Sequence, residues 1–566
     1  MIRQSSVNQK TLFDPYGHIE GKRKKLLEES WPGIFRREIL PELPVKEYAG
    51  YFRSDFGRPA KNLYTALGVM VLQGMNNLTD EEARMELAFN EQWHYALNIT
   101  GRSDKDLYMS LRTIWSTRQR VMEMGLDEVI FDKTVMKLKE LYEIKGSRQR
   151  IDSVHIRSDM QRLNRMQLMG RAIMKFLRRL KRERPEEIGK LRKKLVEKYL
   201  SEKGLGVFSL LKPSETRGKL GKTAKEMYRI VKMYGSKKEI CGWEEYQLMK
   251  RVFEEQCRIV NDGGRKKVAL RQGREVSAGS VQNPSDPDAG FSGHKGEGYS
   301  MQVMETFGEE GKPDLITHVD VTPANVNDSE ALEVALEKTE EKGMMPEEVL
   351  ADASYGGDDN VERARKKGVD LISPVKGREE KRRVKLSEFE FGTDYIIRKC
   401  PMGHKPVSVS YNRKKKRYTA YFEYDVCMKC RMWSQCRVKY EKGDRIKLKY
   451  SAKEARVAER RARQETEEFR EKYRYRSGIE ATISALERRM RIKRSRYRGI
   501  RKMNYMARMK ATGLNILRTA KAVCGKGKNP DRYGKKRDVF SFFEVQAEKI
   551  PCYLQKYFVK EQFSQI

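Results

Sequence analysis

The stretch Val349-Leu350-Ala351-Asp352-Ala353-Ser354-Tyr355-Gly356-Gly357 constrains this chain most, because a short apolar run ends in a carboxylate and opens into small residues. Buried parallel-type strands read as continuous apolar runs, and open α/β sheets hold ligands outside the carboxyl ends of their strands. Asp352 is expected at such an end. A strand-terminal Asp also caps following helices, so the stretch gains meaning only with partners. Asp152 and Glu480 supply them.

Asp152 lies in Arg148-Gln149-Arg150-Ile151-Asp152-Ser153-Val154-His155-Ile156, which reads as a strand rich in β-branched residues. Alternation puts Asp152, Val154 and Ile156 on one face and Ser153 and His155 on the other. His155 thus reads as a sheet-surface or core histidine rather than a catalytic base. Around Glu480, the residues Tyr473, Arg476, Glu480 and Glu487 recur at helical spacing on one face. An Arg one turn before a Glu is commonly a plain surface pair. The basic segment downstream makes that reading less sufficient: Arg488, Arg489, Arg491, Lys493, Arg494, Arg496, Arg498, Arg501 and Lys502, with Tyr497 among them, suit a phosphate backbone.

Between the acids the pattern predicts a strand, a large insert, strands at 299–307 and 314–321, a helix at 329–342, the Asp352 strand, a helix at 360–367 and a strand at 369–375. Strands alternating with helices argue for a mixed α/β sheet, with 145–160 as its first strand and 286–376 as its remainder. The insert, 161–285, is expected to be helical and basic. Ile173, Phe176, Leu177 and Leu180 form its apolar stripe, and Arg178, Arg179, Lys181 and Arg182 surround them as a solvated face or a second nucleic-acid surface.

Residues 1–44 read as polar and irregular, and 45–140 as a helical N-terminal domain. Pro59 suits a first helical position, Leu63, Leu67, Met70 and Val71 make a stripe, and Gly74-Met75-Asn76-Asn77 ends it. A second helix comes next, with Thr79 and Glu82 at capping-box spacing and Met85, Leu87, Ala88 and Phe89 as apolar contacts. The pair is either a DNA-reading helix-turn-helix or a plain helical hairpin. Residues 377–450 are β-rich and carry Cys400, Cys427, Cys430 and Cys436, with His404 nearby. These fit a tetrahedral Zn²⁺ site or ordinary reduced cysteines. Residues 451–523 return to helix around Glu480, and 524–566 read as a linker and an apolar-aromatic tail.

Composition then names the partner. A chain of 566 residues should divide into three or four domains at roughly 150 residues each. Its net charge of +38 repels itself unless a polyanion neutralises it, which points to nucleic acid. No run approaches the roughly 18 apolar residues a membrane span needs, and the first residues lack a signal-peptide core, so a cytosolic protein without membrane contact is expected. Carboxylate oxygens suit Mg²⁺ or Mn²⁺, and two such ions about 3.5–4 Å apart serve in-line phosphoryl displacement. Acids and charge together point to phosphodiester chemistry on DNA.

Asp152-Ser153-Val154-His155-Ile156, His294-Lys295-Gly296 ahead of Gly298-Tyr299-Ser300-Met301-Gln302, Ala351-Asp352-Ala353-Ser354-Tyr355 and Tyr473-x-x-Arg476-x-x-x-Glu480 occur in that order. Together they resemble the DDE transposases of bacterial insertion sequences, in the branch with a Tyr-Arg-Glu-Lys signature. The segment from Gly57-Arg58-Pro59 to Leu78-Thr79-Asp80 and Asn90 resembles the helical N-terminal domain of that group. The resemblance implies an RNase H-like core, a mixed sheet flanked by helices, with Asp152, Asp352 and Glu480 as catalytic acids binding two Mg²⁺ or Mn²⁺ ions. It implies cleavage at the terminal inverted repeats of an element, 3′-hydroxyl attack on target DNA, a homodimer on the DNA, and a bacterial, nucleoid-associated location. Tyr473, Arg476, Arg488, Arg489, Arg491, Lys493, Arg494 and Arg496 become DNA contacts, Arg476 alternatively positioning Glu480. One position departs: the signature Lys two turns beyond the Glu is Glu487, which would repel a phosphate unless Arg488 or Arg489 turns in to substitute. An inactive DNA-binding element protein and a host nuclease with the same core are the competing readings.

Overall fold

The computed structural model of the chain describes residues 14–52, 60–201, 213–377, 384–441 and 443–526. Gly57, Arg58, Pro59 and the tail from residue 527 onward fall outside the described residues. The N-terminal segment is not irregular. It holds α1 (Gly21–Glu29) and shorter helical turns that bury Ile34, Phe35, Ile39, Leu40 and Tyr48, because apolar residues recur within a stretch whose composition is dominated by charge.

The next helix, α2 (Leu63–Met75), is buried along nearly its whole length. It starts at Leu63, where the Asn62 side chain accepts from the Tyr64 and Thr65 amides and satisfies the helix start. Asn77, at φ 53°, turns the chain into α3 (Asp80–Phe89), where the Thr79–Glu82 capping box forms. Ala83 and Leu87 make the inward face of α3; Met85 and Phe89 point outward and are exposed, against expectation. They sit off the inward row set by a four-residue spacing. Helices α4 (Leu111–Glu123) and α5 (Leu126–Leu141) complete this layer.

The first sheet strand is β1 (Arg148–Arg157). The insert after it packs α6 (Arg165–Glu183), α7 (Pro213–Tyr234) and α8 (Glu244–Gln256) around a core of its own that includes Ile173, Phe176, Leu177, Met227, Met249 and Phe253. It is not helical throughout. β2 (Cys257–Asp262) and β3 (Arg265–Leu270) form an antiparallel hairpin, closed by Gly263 and Gly264 at φ 56° and 78°. Paired positive φ angles are what a tight hairpin turn demands and what glycine supplies without strain.

The sheet continues with β4 (Gly290–Ser292), β5 (Gly296–Thr306), β6 (Ile316–Pro323), β7 (Glu348–Ala351) and β8 (Asp370–Ile372), with α9 (Ala331–Glu341) and α10 (Asp358–Lys366) between its later strands. Spatially β5 lies beside β1, then β7 and β8, while β6 and β4 pair with the far edge of β5. β5 is antiparallel to both β1 and β6; β7 runs parallel to β1 and β8 parallel to β7. Three antiparallel strands followed by two parallel ones, flanked by helices, make an RNase H-like core.

Beyond the sheet, β9 (Glu390–Phe391), β10 (Ile397–Lys399), β11 (Ser408–Asn412), β12 (Arg417–Phe422), β13 (Lys439–Glu441) and β14 (Arg445–Ser451) build the β-rich region on a separate small core. Helices α11 (Ala452–Gln464), α12 (Gly478–Met490) and α13 (Ile500–Lys526) come after it in the chain. α13 packs against β6, α2 and α5 and so joins the sheet to the N-terminal helices. Two of its side chains serve as partners for β6: Asn515 bonds both the amide and the carbonyl of Ile316, at 2.8 and 2.9 Å, and Asn504 does the same for Val321, at 2.9 and 3.2 Å. Backbone groups at the strand edge are thereby satisfied without another strand. No helix among the described residues is long and apolar enough to cross a membrane.

Candidate active site on the central sheet

The parallel register of β1 and β7 sets Ile151 opposite Ala351, so the next residue on each strand, Asp152 and Asp352, come side by side. Val154 and Ile156 bury on the Asp152 face, as alternation predicted. Asp152 keeps one oxygen on the Ser153 amide at 2.8 Å and the other on Arg476 Nη2 at 2.6 Å. Burial pushes its pKa above the usual carboxylate value; Arg476 opposes this, and the neighbouring charges of Asp352 and Asp328 add to it. Asp352 is shaped by its own turn. Its carboxylate accepts from the Ser354 amide at 2.8 Å, and its backbone carbonyl accepts from Ser373 Oγ at 2.6 Å. Gly356 is required for this closure, since a Cβ there would stand 2.4 Å from Ser373 Oγ and 2.5 Å from the Pro374 carbonyl.

Glu480, in the first turn of α12, reaches the pair through Arg476, whose Nη1 donates to Glu480 Oε1 at 2.9 Å. One guanidinium therefore ties two of the three acids together. Its Nε is buried and finds no acceptor among the described residues. Tyr473 stacks on Phe469 at 5.5 Å between ring centres and is half-buried. Gly478 opens α12 because the Arg150 guanidinium passes 2.1 Å from where its Cβ would be.

One acid was missed from the sequence. Asp328 stands close enough to raise the pKa of Asp152, and it accepts hydrogen bonds from Ser153, Ser300 and Gln302. Asn327-Asp328 ahead of a helix reads as a cap, which hid it, and Asn327 does cap the Ser329 amide.

Arg488, Arg489, Arg491, Lys493, Arg494, Arg496 and Arg498 are all exposed, and no salt bridge among the described residues neutralises them. Arg501 is different, ion-paired with the buried Asp127 as part of the α13 contact. Glu487 is partly exposed and already engaged. Its carboxylate accepts from the Lys493 amide at 2.7 Å and fastens the left-handed turn at Arg491 that ends α12. The outward face of α3 carries Glu81 and Glu82, which oppose a phosphate approaching there.

In the β-rich region Cys400, Cys427, Cys430 and Cys436 line one cavity of about 30 Å³ together with His404. All four are free of disulfides. Burial first, and then the charge of the other three, pushes the Cys427 thiol up to about 11. Among the described residues no three His, Cys, Asp or Glu side chains are gathered at metal-holding geometry. The donor chemistry of the three carboxylates nevertheless suits Mg²⁺ or Mn²⁺.

Residues 399–520 match the family model described as Transposase DDE domain. This supports a DDE transposase. The matched stretch contains the cysteines, Arg476, Glu480 and the basic segment, whereas Asp152 and Asp352 lie before it. No curated protein and no solved structure matches the chain.

Proposed function

We propose that the chain is the transposase of a bacterial insertion sequence, which cleaves DNA at the element ends and joins the freed 3′-hydroxyl to target DNA. The observation that carries this is the placement of Asp152 and Asp352 at neighbouring strand positions, with Glu480 tied to Asp152 through Arg476. Asp152, Asp352 and Glu480 would hold Mg²⁺ or Mn²⁺. An ion held there would supply activation of the attacking oxygen and stabilisation of the leaving one.

The chain's own residues do the remainder. Arg476 holds Asp152 and Glu480 toward each other. The exposed cations from Arg488 to Arg498 hold the duplex by its phosphates, so affinity falls steeply with salt. Tyr473 supports the turn that carries Arg476. In the β-rich region the four cysteines that line one cavity would be the ligands of a structural Zn²⁺. Metal analysis of purified protein tests that site: one zinc per chain, lost on Cys427→Ser, supports it, and zinc-free protein of unchanged stability contradicts it.

The decisive assay for the reaction uses purified protein, paired element ends and a supercoiled target. Joined products favour a transposase, cleavage without joining favours a host nuclease, and salt-sensitive binding without cleavage favours an inactive DNA-binding protein.

A further inference from the structure

Asp328 makes more contacts around the acid pair than a helix cap needs. Its carboxylate accepts from Ser153 Oγ at 3.0 Å, Ser300 Oγ at 3.1 Å and Gln302 Nε2 at 2.8 Å. Ser153 and Gln302 are directly opposed on β1 and β5, so one carboxylate clamps a cross-strand pair immediately beside Asp152. The Gln302 amide is oriented at both ends: its nitrogen donates to Asp328 and its oxygen accepts from the buried Tyr355 hydroxyl. Tyr355 belongs to the turn that shapes Asp352. Asn360 adds a second tie, donating to the carbonyls of Ser329 and Tyr355 at 2.8 and 3.1 Å. No salt bridge among the described residues neutralises Asp328, although Lys295 reaches Ser153 Oγ at 3.5 Å.

We infer that Asp328 is a positioning residue for the acid pair, fixing Asp152 through Ser153 and Asp352 through Gln302 and Tyr355, so that the two carboxylates are held ready for a divalent cation. This rests on the reading of Asp152 and Asp352 as cation ligands. An acceptor-only carboxylate suits the task because it takes several donors at once and fixes the direction of each. Residues that orient metal ligands typically change metal affinity or activity by about 10–100-fold when removed.

The test is Mn²⁺ binding to the full chain, with melting temperature as the control for folding. Asp152→Ala defines the site by abolishing the binding. Asp328→Ala should weaken Mn²⁺ affinity by about tenfold or more at an unchanged melting temperature. Asp328→Asn, which keeps an acceptor oxygen, should lie nearer the wild type. Should Asp328→Ala fold poorly, Gln302→Leu carries the same expectation, since it breaks the link to Tyr355 and spares the carboxylate. Wild-type affinity in Asp328→Ala, or in a folded Gln302→Leu, overturns the inference while leaving the acid pair intact. Equal losses in the Asn and Ala variants overturn it as well, because the effect is then one of charge. If Asp152→Ala binds Mn²⁺ like the wild type, the reading of the acid pair fails and the inference falls with it.

Discussion

Arg150 and Asp152 stand two residues apart on the same face of β1, and Thr482 and Glu480 stand two apart on α12, yet the clusters they enter are of opposite kinds. In the first, Glu305 is 0% exposed, and its two oxygens accept from Arg150 at 2.8 Å, Thr482 at 2.6 Å and Arg518 at 2.9 Å. Arg150 is in turn used up by Asp314 at 2.9 Å and the Tyr475 carbonyl at 3.0 Å. In the second, the acids outnumber the cation: Arg476 pairs with Asp152 and Glu480, Asp352 and Asp328 have no salt bridge among the described residues, and the Glu480 side chain is 64% exposed. A buried charge must be matched and saturated, or its desolvation dominates. The first cluster meets that requirement and locks the sheet to α12 and α13. The second leaves it unmet at an open edge, and in a chain of net charge +38 a local excess of carboxylates is a place for cations from outside.

The largest effect should come from the open cluster. Asp152→Ala or Glu480→Ala should abolish strand transfer, by roughly a thousandfold or more, equivalent to about 4 kcal/mol of barrier, while denaturant unfolding stays near that of the wild type. A loss of stability matching the loss of rate would erase the contrast between the clusters. Next, Glu305→Ala removes the buried carboxylate that joins Arg150, still paired with Asp314, to the partly buried Arg518, and should cost about 3 kcal/mol in urea unfolding. A value below about 1 kcal/mol would show that this cluster is not the lock described.

A smaller effect comes from His318 on β6, fully buried and pushed down to about 3 by burial and by the nearby charges of Lys342, Arg508 and Lys338. Below its ordinary value of 6.5 the unfolded chain takes up a proton that the folded chain excludes. Stability should therefore be full above pH 6.5 and fall as pH drops toward 3, by at most about 1.4 kcal/mol per pH unit from this group. His318→Gln should flatten that dependence, and an unchanged slope would assign it to other groups. Smallest is Glu487→Ala, which removes one hydrogen bond to the Lys493 amide and should cost about 1 kcal/mol with nicking retained. A large loss of nicking would give Glu487 a role beyond its turn.

Legibility followed the same division. Asp352 showed in the sequence because an apolar run must end somewhere and the acid at its end stands out, and Asp152 because a carboxylate inside a β-branched run is out of place there. Glu480 showed because Arg476 precedes it by one turn. Asp328 did not, since its ligands come from two other strands and its local setting is that of a cap. The partner of Glu487 lies six residues on, beyond a left-handed turn that no periodicity announces. The β2–β3 hairpin was masked by the basic helical stretch before it, although Asp262-Gly263-Gly264 carries the turn chemistry.

The measurement that bears most directly on the open cluster is nicking of labelled DNA carrying the flanking ends of the element, by wild type and Asp352→Ala, in Mg²⁺ and in EDTA. Metal-dependent nicking at the ends that vanishes in the variant is the expected result. Nicking that survives Asp352→Ala, or binding with no nicking under any divalent metal, would contradict the assignment of these acids to catalysis.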